Sequence, residues 1–191
     1  MQRRTAVKQL IVLTTGALFI PSCVREAKKI SIPLDHLKLT ADHETLLASI
    51  TETLLPTSDT PGAKELKLHE FVLRMMDDCY APEEQKEFQS GLEQFDKYAS
   101  KVADKSFSEM TPDERKSFLL QLEQKRTDET SLAENEKPIF QFYGRTKGLA
   151  IRGYMNSEAV MTKFTYYQMV PGRFDGCVEI KDPSDYKTIY G

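Results

Sequence analysis

From Ala81 to Val102 the chain reads APEEQKEFQSGLEQFDKYASKV. Its apolar residues Phe88, Leu92, Phe95, Ala99 and Val102 recur at steps of four, three, four and three. That spacing gathers them on one face of an α-helix and leaves the charged residues on the other. Pro82 suits a first helical turn, where its missing N–H is no loss. Glu83 and Glu84 complement the positive end of the helix dipole. A strand would have demanded alternation, so this segment sets the fold class as helical.

The same period extends in both directions. Upstream, Phe71, Val72, Met75, Met76 and Cys79 form another one-face stripe. Before it, Thr40 can cap a helix in which Leu46, Leu47, Ile50 and Leu54 share a face, and Pro56 stops it. Thr57-Ser58-Asp59-Thr60-Pro61-Gly62 is a turn cluster. Downstream, Thr111-Pro112-Asp113-Glu114 reads as a capping box followed by Phe118, Leu119 and Leu122. Between Pro138 and Met155, Ile139, Phe140, Phe142, Tyr143, Leu149, Ala150, Ile151 and Tyr154 cover most of a helix circumference. Such a helix is central and buried on several sides. Gly144, Gly148 and Gly153 interrupt it, which reads as close approach of neighbouring helices or of a partner. Asn156-Ser157-Glu158 opens a short last helix through Phe164, and the run from Pro171 to Cys177 is a loop built on two turn signals. The expected architecture is all-α: a small irregular domain of about five or six helices over 41–191, preceded by a tether or arm over 23–40 that lies over a neighbour.

Residues 1–22 read as an address. Arg3, Arg4 and Lys8 precede the apolar run Leu10 to Ile20, and a small residue then precedes Cys23. This is the layout of an export signal, too short to span a bilayer. Arg3-Arg4 resembles a twin-arginine signal for folded cargo, although Ala6-Val7 replaces its bulky pair. General secretion is the other route. Ile20-Pro21-Ser22-Cys23 resembles a loose lipobox, in which Cys23 would be acylated and would tether the mature chain to a membrane surface. The expected location is the periplasm or the membrane-anchored cell envelope.

Composition narrows the function classes. The 191 residues are 40% hydrophobic and 29% charged, as in a globular chain, with 26 basic against 29 acidic residues and a net charge of −3. That balance argues against phosphate-backbone recognition. Three cysteines form no CxxC pair and build no disulfide scaffold. His36, His43 and His69 form no HExxH or i, i+4 pair and read as lone surface histidines. No Gly-rich nucleotide loop, GxSxG elbow or CxxCH haem site occurs. The acidic pairs Asp77-Asp78, Glu83-Glu84 and Asp113-Glu114 read as helix-end dipole compensation, and Cys79 as packing. No catalytic, cofactor-binding or metal-ligating residue is expected in this chain.

Three stretches together resemble the gluconate 2-dehydrogenase subunit 3 family. The first runs from Ile50 to Ala63 through Leu55-Pro56-Thr57-Ser58-Asp59-Thr60-Pro61-Gly62, with Glu70-Phe71 and Asp78-Cys79-Tyr80 following. The second is Phe142-Tyr143-Gly144-Arg145-Thr146-Lys147-Gly148-Leu149, continuing through Gly153-Tyr154 and Ser157-Glu158. The third is Pro171-Gly172-Arg173-Phe174-Asp175-Gly176-Cys177. The resemblance implies a non-catalytic accessory subunit of a flavin-dependent sugar or sugar-acid dehydrogenase. Its partner would be a glucose-methanol-choline type flavoprotein holding FAD, and a haem-bearing cytochrome c would often carry the electrons onward. It also implies that the small subunit carries the export signal for both, assisting folding, co-export and anchoring.

On that reading the candidate partner interface comprises Tyr143, Arg145, Gly148 and Tyr154 of the central helix and Gly172, Arg173, Phe174 and Asp175 of the closing loop. Tyr143 and Tyr154 have core packing as their alternative, and Arg145 an internal acid. In an oxidising compartment Cys79 and Cys177 are candidates for a disulfide, to each other or to a partner. Two rival readings are a stand-alone envelope lipoprotein acting as a binding or scaffold module, and an independent carbohydrate-active enzyme.

Overall fold

The computed structural model describes residues 30–127, 133–164, 177, 179, 181 and 182. Among these are six α-helices: α1 (Ala41–Leu54), α2 (Leu68–Cys79), α3 (Pro82–Ala103), α4 (Pro112–Thr127), α5 (Lys137–Met155) and α6 (Glu158–Lys163). A 3-10 turn, Phe107–Glu109, joins α3 to α4. The described residues contain no strand. The all-α expectation therefore holds, with the helices where the periodicity put them.

Helix ends follow local chemistry. Thr40 Oγ1 accepts the His43 N–H at 3.3 Å, and His43 Nδ1 accepts the Thr40 N–H at 3.4 Å, closing a reciprocal cap on α1. Glu84 accepts the Ala81 N–H at 3.3 Å at the start of α3. Thr111 and Glu114 exchange bonds of 3.3 and 2.8 Å at the start of α4. Ser157 Oγ accepts the Val160 N–H at 3.4 Å and starts α6. Asp104, in the left-handed region at φ 55°, ends α3.

The long helices α3 and α5 pack along one another, and α2 lies against α5. Between α3 and α5 sits an aromatic cluster. Phe95 meets Phe142, Phe107 and Phe118 with ring centroids 5.6, 5.5 and 5.9 Å away, and Phe88 meets Phe142 at 5.0 Å. Each such ring contributes about 1.5–3 kcal/mol by leaving water. On α5, Ile139, Phe140, Phe142, Tyr143, Thr146, Leu149, Ala150 and Gly153 are all buried, as expected of a central helix.

Between helices, close approach needs glycine at two places. A Cβ on Gly91 of α3 would lie 2.4 Å from both the Pro138 carbonyl oxygen and Phe142 Cβ. One on Gly153 of α5 would lie 2.6 Å from the Phe71 ring. The other two glycines of α5 do not fit the close-approach reading inside this chain. Beside Gly144 the nearest atoms are an ordinary 3.7 Å away, and beside Gly148 nothing among the described residues lies within 4 Å.

The arm is fastened to its own domain. Over residues 30–40, Ile32 and Leu37 are buried. Two carboxylates hold the backbone: Glu44 accepts the Ser31 N–H at 2.8 Å and the Ser31 hydroxyl, and Asp77 accepts the N–H groups of Asp35, His36 and Leu37 at 2.6, 2.9 and 2.7 Å. This corrects the dipole reading of Asp77. It sits near the C-terminus of α2, where the dipole opposes a carboxylate, and the three arm N–H groups stabilise it instead.

Three further expectations change. Val102 closes the α3 stripe by spacing but is 51% exposed, in the last turn of a helix that ends one residue later. Cys79, the last residue of α2, is exposed and not packed. Of the histidines only His36 is on the open surface. His43 caps α1, and His69 lies half-buried with Nε2 3.8 Å from Glu44 Oε1.

Candidate partner interface

The central helix α5 carries four of the residues expected to meet a partner, and its geometry sorts them by direction. Tyr143 points inward and is 2% exposed. Burial pushes its hydroxyl up to about 12, and the adjacent Glu123 carboxylate adds to this. Glu123 is held below the usual carboxylate range chiefly by Arg126, 2.6 Å away, despite partial burial, with Lys147 at 3.1 Å. Tyr143 is thus a core residue whose polar tip joins an α4–α5 charge cluster.

Arg145 is half-buried and satisfied within the chain. Its Nη1 donates to Glu84 Oε1 at 2.8 Å, and its guanidinium stacks on the Tyr80 ring, 4.8 Å from the centroid. The Arg145 hydrogen bond and the Ala81 N–H hold the Glu84 carboxyl below its ordinary value. This side chain ties α5 to the junction of α2 and α3, so it meets the acid that the alternative reading supplied. Tyr154 is half-buried.

Gly148 faces outward and is exposed. It heads a row continuing with Ile151, Arg152 and Met155, one and two helical turns further on. Ile151 is 44% and Met155 50% exposed. Ile151 belongs by sequence to the apolar circumference of α5, and periodicity could not say which part of that circumference stays uncovered. Arg152 and Met155 carried no sequence signal of their own.

The remaining candidates fall elsewhere. Gly172, Arg173, Phe174 and Asp175, and likewise Arg3, Arg4 and Cys23, lie outside the described residues. Cys79 and Cys177 are both exposed and unbridged. Among the described residues no group of three or more His, Cys, Asp or Glu side chains is arranged to hold a metal, and no helix is long and apolar enough to cross a membrane. A surface hollow of about 390 Å³ lies between the end of α3 and the start of α4, lined by Val102, Met110 and Phe118 and edged by the Lys105–Glu114 pair at 2.7 Å.

A family model described as gluconate 2-dehydrogenase subunit 3 matches residues 41–172. The chain belongs to the gluconate 2-dehydrogenase subunit 3 family. The match opens at the first residue of α1 and passes through all six helices to Gly172. It leaves Arg173, Phe174 and Asp175 just beyond its end. Searches of curated proteins and of solved structures returned no match. The subunit-3 family name describes one component of a dehydrogenase that has others, so this domain is to be understood as part of an assembly.

Proposed function

We propose that this subunit-3 protein is a non-catalytic accessory subunit of a periplasmic flavin-dependent sugar or sugar-acid dehydrogenase. Its partner is a glucose-methanol-choline type flavoprotein that holds the FAD, with a cytochrome c as a further member of the complex. The observation that carries this reading is the family match over 41–172. The twin-arginine-like opening at Arg3-Arg4 supplies the export route.

The division of labour has a physical reason. A flavoprotein folds around its cofactor in the cytoplasm, and a folded protein cannot thread a channel for unfolded chain. Bound to a partner with a folded-protein signal, it can be exported whole. That role requires a specific interface formed before export and no reactive group in the carrier.

The test is export. The chain is co-expressed with the flavoprotein encoded beside its gene, and dye-linked dehydrogenase activity is measured in periplasm and cytoplasm. Replacing Arg3-Arg4 by Lys-Lys is expected to strand the activity in the cytoplasm. Undiminished periplasmic activity would reject the carrier role. Turnover of a sugar by the purified chain alone would reject the non-catalytic reading.

A further inference from the structure

We propose that the outward row of α5, centred on Gly148, Ile151, Arg152 and Met155, is the surface that grips the catalytic partner, and that the partner's matching patch is apolar at its centre and acidic at its edge. This rests on the accessory-subunit reading and assigns it a place. The opposite face of α5 is already buried against the rest of the domain, so these side chains are not needed for that core. Ile151 and Met155 nevertheless stand 44% and 50% exposed, one turn apart, on the same helix face. Isolated exposed apolar residues need no explanation, but two in a row beside an arginine have the composition of an interface centre, where Met and Arg are enriched.

Charge selects the occupant. From Lys137 to Ser157 the chain has four basic residues and no acidic one, although its net charge is −3. Lys137 is met by Glu134, Arg145 by Glu84 and Lys147 by Glu123. Arg152 is exposed and has no acidic partner among the described residues. A second copy of this chain, paired face to face about a two-fold axis, would bring like charges together. An acidic patch on a different protein would bring opposite ones.

Gly148 agrees with this placement. In a helix interior glycine is disfavoured by up to about 1 kcal/mol against alanine. Gly91 and Gly153 offset that cost by admitting a neighbour, whereas among the described residues none has an atom within 4 Å of where a Gly148 Cβ would stand. A partner backbone laid across this turn would occupy that space. Leu120, 56% exposed on α4, is a matched control because it shares the exposure but not the basic apolar row.

The experiment uses the full-length chain co-expressed with the adjacent-gene flavoprotein, captured through a tag on the flavoprotein. Ile151→Glu with Met155→Glu is expected to lower the affinity by about tenfold or more. Arg152→Glu is expected to weaken binding and to reduce its salt dependence. Leu120→Glu should leave the complex intact. Circular dichroism and melting of each purified variant separate lost binding from lost folding. A double variant that folds and binds like wild type, while the wild-type complex forms, overturns this placement and leaves the accessory role standing. A wild-type chain that does not bind the flavoprotein overturns the partner assignment and this placement with it. A dimer of the isolated chain that the double variant dissociates would assign the row to self-association instead.

Discussion

The backbone N–H of Leu37 donates to Oδ1 of Asp77 at 2.7 Å in the buried interior, joining residues 40 positions apart in sequence. The same carboxylate takes the N–H groups of Asp35 and His36. One side chain of α2 thus fixes the course of the arm over residues 35–37. Asp77→Ala leaves these donors without their acceptor and is expected to cost about 2 kcal/mol, read as a lower midpoint in urea unfolding. The arm bonds hold the Asp77 carboxyl below its ordinary value of 3.8 despite the opposing effect of burial. Its contribution is therefore complete above that value and lost as pH falls through the lower folded value. Asp77→Asn should flatten the acid limb of the stability profile, and an unchanged limb would show that the Asp77 charge does not hold the arm.

Glycines on the two long helices should respond to alanine in opposite senses. Gly91→Ala drives a methyl into the Pro138 carbonyl, a backbone atom that cannot rotate away. A loss of roughly 1–3 kcal/mol is expected. Gly148→Ala meets no neighbour and should stabilise the isolated chain by up to about 1 kcal/mol. Thermal melts of the two variants decide the matter, and equal shifts would contradict the packing described.

His69 gives a prediction near neutral pH. Burial lowers its pKa below the ordinary 6.5, and Glu44 only partly opposes this. The folded state therefore prefers the neutral ring. Its share of stability is complete above about 6.5 and declines as pH falls toward the folded value. A proton NMR titration should place the His69 midpoint below 6.5. A midpoint above 6.5 would mean that the Glu44 carboxylate outweighs burial.

Cys79 and Cys177 are exposed and unbridged, so both should label with a thiol reagent under native conditions without denaturant. Mass spectrometry of the alkylated protein, isolated without reductant, counts them. A single intramolecular bridge in that sample would contradict the arrangement described here.

Secondary structure was legible because its causes are local. The steps of three and four from Phe88 to Ala99, the Thr111–Glu114 cap and Pro82 at a first turn each act within a few residues. The family likeness was legible for a related reason, since it is carried by short runs, the turn around Pro56–Gly62 and the α5 segment Phe142–Leu149, each read along the chain. The directions of the interface candidates were not legible in the sequence. Sequence pointed to α5, but it chose Tyr143 and Arg145, which face inward and across, together with Gly148, which faces out.

Amino-acid order alone settled that this chain makes helices, where several of them begin, and which family it resembles. It could not settle which sides of an all-round apolar helix would be covered, because coverage depends on neighbours distant in sequence. Phe71, Phe95 and Gly91 take the inner faces at Gly153, Phe142 and Pro138, and nothing in the described chain takes the row from Gly148 to Met155. Nor could local order give Asp77 its role, since three N–H groups from an arm 40 residues away override the helix dipole that its position suggests. Both outcomes rest on the same physics: burial and hydrogen-bond satisfaction are properties of the packed whole, not of a window along the chain.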